Sequence, residues 1–572
     1  MSAPPADGDP PLSVVVPAPD DRTLRALQSA GAHQRRLDCL WPLGLYLLLS
    51  LALFGAPIIG HLGSRIVASD DIDSSQFMWF FAWWPYALGH GLNPFVTHLM
   101  FVPQGFNLTW STAMPGPSIL LSPITLTFGP AVTWNVIQLA SPALTAWTAF
   151  ILCRHVTGRT GASLVGGYLL GFSPYVLINL TGVPELALAA LVPVFVWLVV
   201  RRVQGDIGPR RFVVAMSLAL TGQYLISSEV LATATVFGAI ALALAFALLP
   251  ALRGELLGTG VLLVFAYLAT AVLISPFLYF FFFGHQYPPA ATHFPADVAA
   301  YVVPPPLAAI SRHQPPLSGS GTESYLGLGL VAIVVAFMWQ QRRSRVAWLI
   351  ALSLLIAAAC TLGDHWYVAG HPTSIPGPWL ILGRLPVLRY AIPVRLALFV
   401  DLPAALIAAM FLALPGVWRW GLALLAVALI LPDLGNVAWN TPIRDPAFFA
   451  DGAYRSYLKP SEHVLTIPAW GPNGRWQADT DFYFTLADGY GGNPFPPSYT
   501  RFATWSTLLT GQLTPGWRGA LRRFVAAKGV TAIAVDETVP GPWKELFGSL
   551  GVRPVSVGGV LLYRLHGRST DS

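Results

Sequence analysis

The chain has 572 residues, 54% of them hydrophobic and only 10% charged, with a mean hydropathy of +0.59. Soluble domains carry about a quarter charged residues, so this composition excludes a protein that covers itself with a water-compatible surface. The net charge of +6 is mostly Arg, Lys occurring only at Lys459, Lys528 and Lys544, and no basic stripe interleaved with aromatics marks a nucleic-acid surface. An Arg-rich, Ala/Pro/Gly-rich composition also points to a GC-rich bacterial genome.

Residues 1–39 are Pro-rich and polar and end near Arg35-Arg36, which predicts a disordered cytoplasmic N-terminus. The apolar run Leu40–Leu62 is too long for a signal peptide and lacks a small-residue cleavage site, so it is expected to stay as a membrane anchor. Further spans are expected near Ala131–Cys153, Gly161–Leu177, Pro184–Val200, Phe212–Ile226, Val230–Leu249, Leu256–Phe283, Tyr325–Trp339, Val346–Leu362, Leu396–Leu414 and Val417–Leu431. That makes roughly eleven helices of membrane-spanning character. Pro117–Gly129 is short and Pro-bounded, and reads as interfacial or re-entrant. Arg154 and Arg159, Arg201-Arg202, Arg210-Arg211, Arg253, Arg342-Arg343-Arg345 and Arg419 all fall in short loops, which the positive-inside rule makes cytoplasmic.

An odd number of crossings puts the C-terminus outside, together with the long segments Gly63–Gly116, Gly284–Ser324 and Gly363–Pro393. Chemistry is therefore expected at the outer face. The expected organisation is a membrane domain over 40–434, with its first outer loop at 63–116, and a small α/β extracytoplasmic domain over 435–572. In that tail, strands are predicted at Val464–Ile467, Ala532–Val535 and Gly559–Tyr563, and a helix near Trp517–Lys528 that passes through Gly529 into a strand. The tail holds no phosphate loop, GxSxG elbow or metal motif. Cys39, Cys153 and Cys360 lack metal-ligand spacing and read as buried, inert thiols.

The stretch Ser69-Asp70-Asp71-Ile72-Asp73-Ser74-Ser75-Gln76 puts three carboxylates close behind the first helix. The aromatic run Trp79, Phe80, Phe81, Trp83, Trp84 and Tyr86 follows directly. On a helix, Asp73, Gln76, Phe80 and Trp83 or Trp84 share one face. Such a Trp-rich helix is expected to lie along the headgroup layer. The plain alternative is a solvated acidic loop followed by an aromatic belt. Arg389 and Arg395, with Arg384 behind them, stand on the outer side against the charge trend, placed to fork onto an anion. Snorkelling, or pairing of these arginines with Asp401, is the structural alternative. Glu185 and Glu229 begin helices, where the macrodipole alone favours a carboxylate, and Asp297 and Glu323 lie in a later loop.

In their order, Asp73-Ser-Ser-Gln76-Phe-Met-Trp79, Gly91-Leu-Asn93-Pro94, Gly171-Phe-Ser173-Pro174-Tyr175, Ile226-Ser-Ser-Glu229-Val, Glu323-Ser-Tyr325-Leu-Gly327 and Leu388-Arg389-Tyr-Ala-Ile-Pro393-Val-Arg395 resemble the type C (GT-C) membrane glycosyltransferases. The resemblance covers most of the membrane part. It implies a multi-pass enzyme of the bacterial inner membrane that takes a sugar from a polyprenyl-phosphate donor and gives it to a glycan, lipid or protein acceptor. It also implies that a first-loop Asp acts as general base in a single, inverting displacement. Asp73 matches best, while Asp70 and Asp71 stay open because better-known members show an acidic pair in a shorter pattern. Arg395, Arg389 and Arg384 would hold the donor phosphate, with Gln76, Glu229 and Glu323 in support. No metal ligand set is visible, although the chemistry would tolerate a divalent ion. The aromatic first loop and Phe280–Phe283 would line a groove for the lipid. A transporter or lipid flippase, and a non-catalytic envelope scaffold, are the rival classes. Few ionisable residues at mid-depth and no repeated halves speak against transport.

Overall fold

The computed structural model describes residues 40–69, 72–285, 287, 294–311, 321–385, 391–492 and 495–565. Asp70, Asp71, Arg389, Cys39 and the N-terminal segment 1–39 lie outside the described residues.

The membrane part is a helical bundle. In chain order its helices are α1 (Leu40–Gly55), α2 (Ile72–Gly89), α3 (Pro130–Thr157), α4 (Thr160–Gly171), α5 (Pro174–Leu180), α6 (Pro184–Val203), α7 (Pro209–Ile226), α8 (Ser228–Leu248), α9 (Pro250–Leu273) and α10 (Ser275–Phe283). After a long connection come α11 (Gly327–Gln340), α12 (Arg345–Thr361), α13 (Pro393–Ala413) and α14 (Trp418–Leu429). Proline opens α3, α5, α6 and α7, where its missing N–H costs nothing and its fixed φ suits the first turn.

Five of these helices, α3, α6, α8, α9 and α13, are long and apolar enough to cross a membrane, and the pair α4–α5, bent by 44°, would make a sixth. The chain is thus a polytopic helical membrane protein with fewer long spans than the roughly eleven expected from hydropathy. The apolar runs are real, but proline interrupts them. Pro174 splits the run Gly161–Leu177, and Ser275-Pro276 breaks Leu256–Phe283 at Ile274. Helices α1, α11, α12 and α14 are apolar but shorter than a full crossing. Pro117–Gly129 forms parts of two short helices, Pro115–Leu120 and Ser122–Phe128.

The tail folds on a mixed sheet of β1 (His463–Ile467), β2 (Thr485–Leu486), β3 (Ala532–Asp536), β4 (Val555–Val557) and β5 (Val560–Arg564), in the spatial order β4-β5-β3-β1-β2. Strand β1 runs parallel to both β2 and β3, and β5 runs antiparallel to β3 and β4. Helix α15 (Asn473–Asp479) follows β1, and α16 (Trp517–Lys528) leads into β3 through Gly529 at φ +61°.

The first loop and this domain share one core. Far from lying along a headgroup layer, α2 is buried on nearly all sides between the bundle and the sheet. Its aromatic residues can leave water because protein groups satisfy them. Trp79 Nε1 donates to Gln477 Oε1 at 2.7 Å, Trp83 Nε1 to the Pro94 carbonyl at 3.0 Å and Trp84 Nε1 to the Ala113 carbonyl at 3.2 Å. The following segment covers the sheet edge: Leu486 N–H donates to the Leu99 carbonyl at 2.8 Å, and Val102 N–H to the Leu486 carbonyl at 3.1 Å. Between α2 and α15, Arg475 is fully buried. Its Nη2 donates to Asp445 Oδ1 at 2.6 Å and its Nη1 to Ser75 Oγ at 2.9 Å. Removing one partner of such a pair strands a charge in a dry interface. Asp445→Asn is expected to lower unfolding stability by about 3 kcal/mol, seen as a reduced midpoint in detergent, whereas a variant of the exposed Asp451 should leave it unchanged.

Candidate active site

Local pins fix where Asp73 stands. Asn135 of α3 accepts from Val67 N–H and donates to the Leu62 and Arg65 carbonyls, and Trp134 Nε1 donates to the Val67 carbonyl. Ser69 N–H then donates to the Thr181 carbonyl. The chain is thereby laid against the turn after α5, with Asp73 in the first turn of α2, where the helix dipole favours a carboxylate. A methyl group at Gly182 would stand 3.9 Å from Asp73 Oδ2. Tyr490 of the C-terminal domain donates its hydroxyl to Asp73 Oδ1 at 3.3 Å. Gln76, one turn along, is buried, and its amide faces the Gly491-Gly492 backbone, which also accepts from Ser111 Oγ.

A second group of charges gathers on α6, α8 and α13. Arg395 Nη1 donates to Glu229 Oε2 at 2.7 Å, with both side chains mostly buried. Glu229 sits at the start of α8, whose N-cap Ser227 accepts from Val230 N–H. Glu185 lies alongside, buried, and its Oε2 has no hydrogen-bond partner among the described residues. It interacts electrostatically with Arg395, Glu229 and Asp73 and so links the two groups. The buried Tyr175 lies within the same field. Glu323 approaches from the loop before α11: burial pushes its carboxyl above the usual carboxylate range, and backbone hydrogen bonds and Arg395 oppose the shift.

The structure therefore brings together Asp73 and Gln76, and separately Glu229, Arg395 and Glu323. It does not bring in Arg384, which is exposed just past the short helix Trp379–Leu382 and makes no contact with the Arg395–Glu229 pair among the described residues. Asp401 is not the partner of Arg395; it is buried in α13 and accepts a hydrogen bond from Ser173. Among the described residues no three His, Cys, Asp or Glu side chains cluster as a metal site. Two participants carried no usable signal in the sequence. Tyr490 lies 417 positions from Asp73, and the burial of Glu185 follows from packing against elements distant in the chain.

A small groove opens between the first loop and α7, α8 and α10, lined by Trp84, Phe95, Met114, Tyr224 and Phe277 and by the hydroxyl-bearing Thr109, Ser111 and Thr112. Phe95 packs edge-on to Phe277 at 4.8 Å and stacks on Phe280 at 4.9 Å, and Trp110 stacks on Phe281 at 4.5 Å. Ser228, next in sequence to Glu229, also lines this groove.

No family model matches the chain, and no curated protein matches it in sequence. Solved structures do. A cryo-EM structure of the arabinofuranosyltransferase AftD from Mycobacteria superposes with a TM-score of 0.54 at 16% identity, over 94% of this chain and 42% of AftD. A second class of the same protein gives 0.53 at 15% identity, over 92% and 42%. ArnT from Cupriavidus metallidurans aligns over 91% of this chain and 97% of its own, at 12% identity and a TM-score of 0.45. The chain spans less than half the length of AftD. What is shared is a fold, the polytopic helical architecture seen in AftD.

The site loop is itself held by a buried carboxyl. Asp488 Oδ2 accepts from Thr466 N–H and Oγ1, at 2.8 and 2.6 Å, two residues before Tyr490. Burial pushes the Asp488 carboxyl up to about 8, against the hydrogen bonds from Thr466. Its unfolded value is about 4, so between these values the folded state keeps a proton that the unfolded state releases. The associated stability is fully present below about pH 4 and is lost as pH rises towards about 8. The unfolding midpoint of the wild type should fall between about pH 5 and pH 8, and Asp488→Asn should flatten that fall.

Proposed function

We propose that the chain is a membrane glycosyltransferase, moving a sugar from a polyprenyl-phosphate donor to an acceptor hydroxyl at the outer face of a bacterial inner membrane. The observation that carries this reading is a first-loop carboxylate, Asp73, set at the head of a buried helix and oriented by a tyrosine from another domain, in a fold shared with a known arabinofuranosyltransferase. The topology that goes with it has a cytoplasmic N-terminus, a membrane domain over 40–434 and an extracytoplasmic domain over 435–572.

In this mechanism the acceptor oxygen attacks the anomeric carbon while its proton passes to the Asp73 carboxylate. The bond from that carbon to the phosphate oxygen breaks, the electron pair leaves with polyprenyl phosphate, and the configuration inverts. Because the leaving group is already good, one base suffices, without the two flanking carboxylates of a glycosidase. Arg395 would meet the charge growing on the departing phosphate, with Arg389 as a further candidate. Glu229 takes Nη1 of Arg395 and fixes the planar fork, whose remaining N–H groups would meet the phosphate. Gln76 and Glu323 would support the two ends of the site. The groove beside Ser228 suits the lipid of the donor.

Sugar transfer in proteoliposomes tests the assignment. Asp73→Asn should preserve folding and donor binding yet slow transfer by roughly 10²–10⁴-fold, the scale of general-base catalysis. Full activity in Asp73→Asn would remove Asp73 from the role. Asp70→Asn and Asp71→Asn measured beside it show whether a neighbour carries it instead.

A further inference from the structure

Beyond α12 the chain forms a hairpin whose composition and depth suit lipid rather than water. Helix α12 has 17 residues, about 25 Å of rise, against about 30 Å of hydrocarbon in a bilayer. Arg342, Arg343 and Arg345 hold its first end at one membrane surface, so Thr361 stops short of the other. The chain that follows directly is therefore still at the depth of the lipid. It forms a strand pair, His365–Val368 with His371–Pro376, and then the short helix Trp379–Leu382.

From His365 to Gly383 no Asp, Glu, Lys or Arg occurs. Val368, Ile375, Leu380 and Ile381 are nevertheless exposed, Ile381 by 72%, while Trp379 turns inward and is buried. Strand edges that meet water are usually blunted by charge, and this pair carries none. Trp366 and Tyr367 are half-buried, a setting common for aromatic side chains at a membrane boundary.

The backbone is suited to a dry setting as well. Non-helical chain at membrane depth persists only where its polar groups are paired. The turn Ala369-Gly370 has positive φ at both residues, and its N–H groups make no strand pair. The fully buried Asp297 accepts both, from Ala369 N–H at 2.9 Å and from Gly370 N–H at 2.6 Å. Three residues before Asp297, the Phe294 carbonyl accepts from Val394 N–H, beside Arg395.

We infer that residues 365–382 are a membrane-contact element, in which Val368, Ile375, Leu380 and Ile381 enter the lipid boundary continuous with the exposed side of α12, where Trp348 and Leu355 stand. The segment that seats the hairpin also holds the chain next to Arg395 and so keeps that guanidinium at headgroup depth. The use of Arg395 on a lipid phosphate rests on the proposed transferase reaction; the lipid contact does not.

Spin labels on the full chain, in nanodiscs of phosphatidylethanolamine and phosphatidylglycerol, test this. Cys153 and Cys360 are buried, so Ile375→Cys and Ile381→Cys are labelled in a Cys39→Ser background, with the exposed Asp451→Cys as the aqueous reference. At 375 and 381 the label should lose most of the collisions with a water-soluble nickel chelate that it shows at 451, and gain collisions with oxygen, which concentrates in lipid. Chelate access equal to that at 451 would place the hairpin in water and overturn the proposal. Protection from both reagents would overturn it too, since protein, such as a second copy of the chain, would then cover this face. Lipid access at both positions, without binding of a polyprenyl phosphate, would keep the membrane contact and sink the donor reading.

Discussion

A guanidinium taken wholly out of water loses several kcal/mol of hydration and recovers it only where charge and hydrogen bonds are waiting. Arg475 finds them at a single place, between Asp445 of its own domain and Ser75 of α2. That requirement helps to specify how the C-terminal domain sits on the first loop, because a shifted dock would keep the Asp445 pair but leave Nη1 without the Ser75 hydroxyl in a dry interface. Around it, the tryptophan N–H groups of α2 each reach a fixed acceptor, so the aromatic helix has one register in which its polar atoms are satisfied. Apolar burial drives the association, and these few polar contacts select its geometry.

The site inherits its precision from this dock. Asp73 and Ser75 lie in the same turn of α2, so the interface that seats Arg475 also sets the carboxylate. Tyr490 reaches that carboxylate from the loop after Asp488, whose backbone carbonyl accepts from Phe101 N–H of the first loop. Two segments far apart in the chain are thus tied at several points within a few residues of the proposed base. The Arg395–Glu229 pair belongs to the bundle, and Glu185, within electrostatic reach of both groups, spans the gap between them.

How far the sequence foretold this depends on the range of the interactions involved. Helices such as α3 and α8 were legible because twenty apolar residues without a charge have few alternatives. Strands β1, β3 and β5 and helix α16 were legible from short apolar runs and from Gly529 at the helix end, all local signals. The breaks at Pro174 and Ser275-Pro276 were underweighted, since hydropathy averages over them while the backbone does not. The setting of α2 was misread for a different reason. Its aromatic residues look the same whether lipid or protein covers them, and the partners that decide the matter, Gln477 and Arg475, lie some four hundred residues away. Asp73, Gln76, Arg395, Glu229 and Glu323 stood out as polar residues at helix ends or in loops. Their grouping into a carboxylate side and a guanidinium side is a property of the packed bundle, and Tyr490 enters only through domain docking.

The central claim is that a lipid-linked phosphate meets Arg395 while its sugar faces Asp73. A structure of the full chain with a non-hydrolysable polyprenyl-phosphate sugar analogue measures this most directly. The account predicts the phosphate within hydrogen-bond distance of the Arg395 guanidinium, the lipid along the groove of Trp84, Phe95 and Phe277, and the anomeric carbon on the side of Asp73 and Tyr490. A phosphate bound away from Arg395, with the anomeric carbon out of reach of the Asp73 carboxylate, would contradict it.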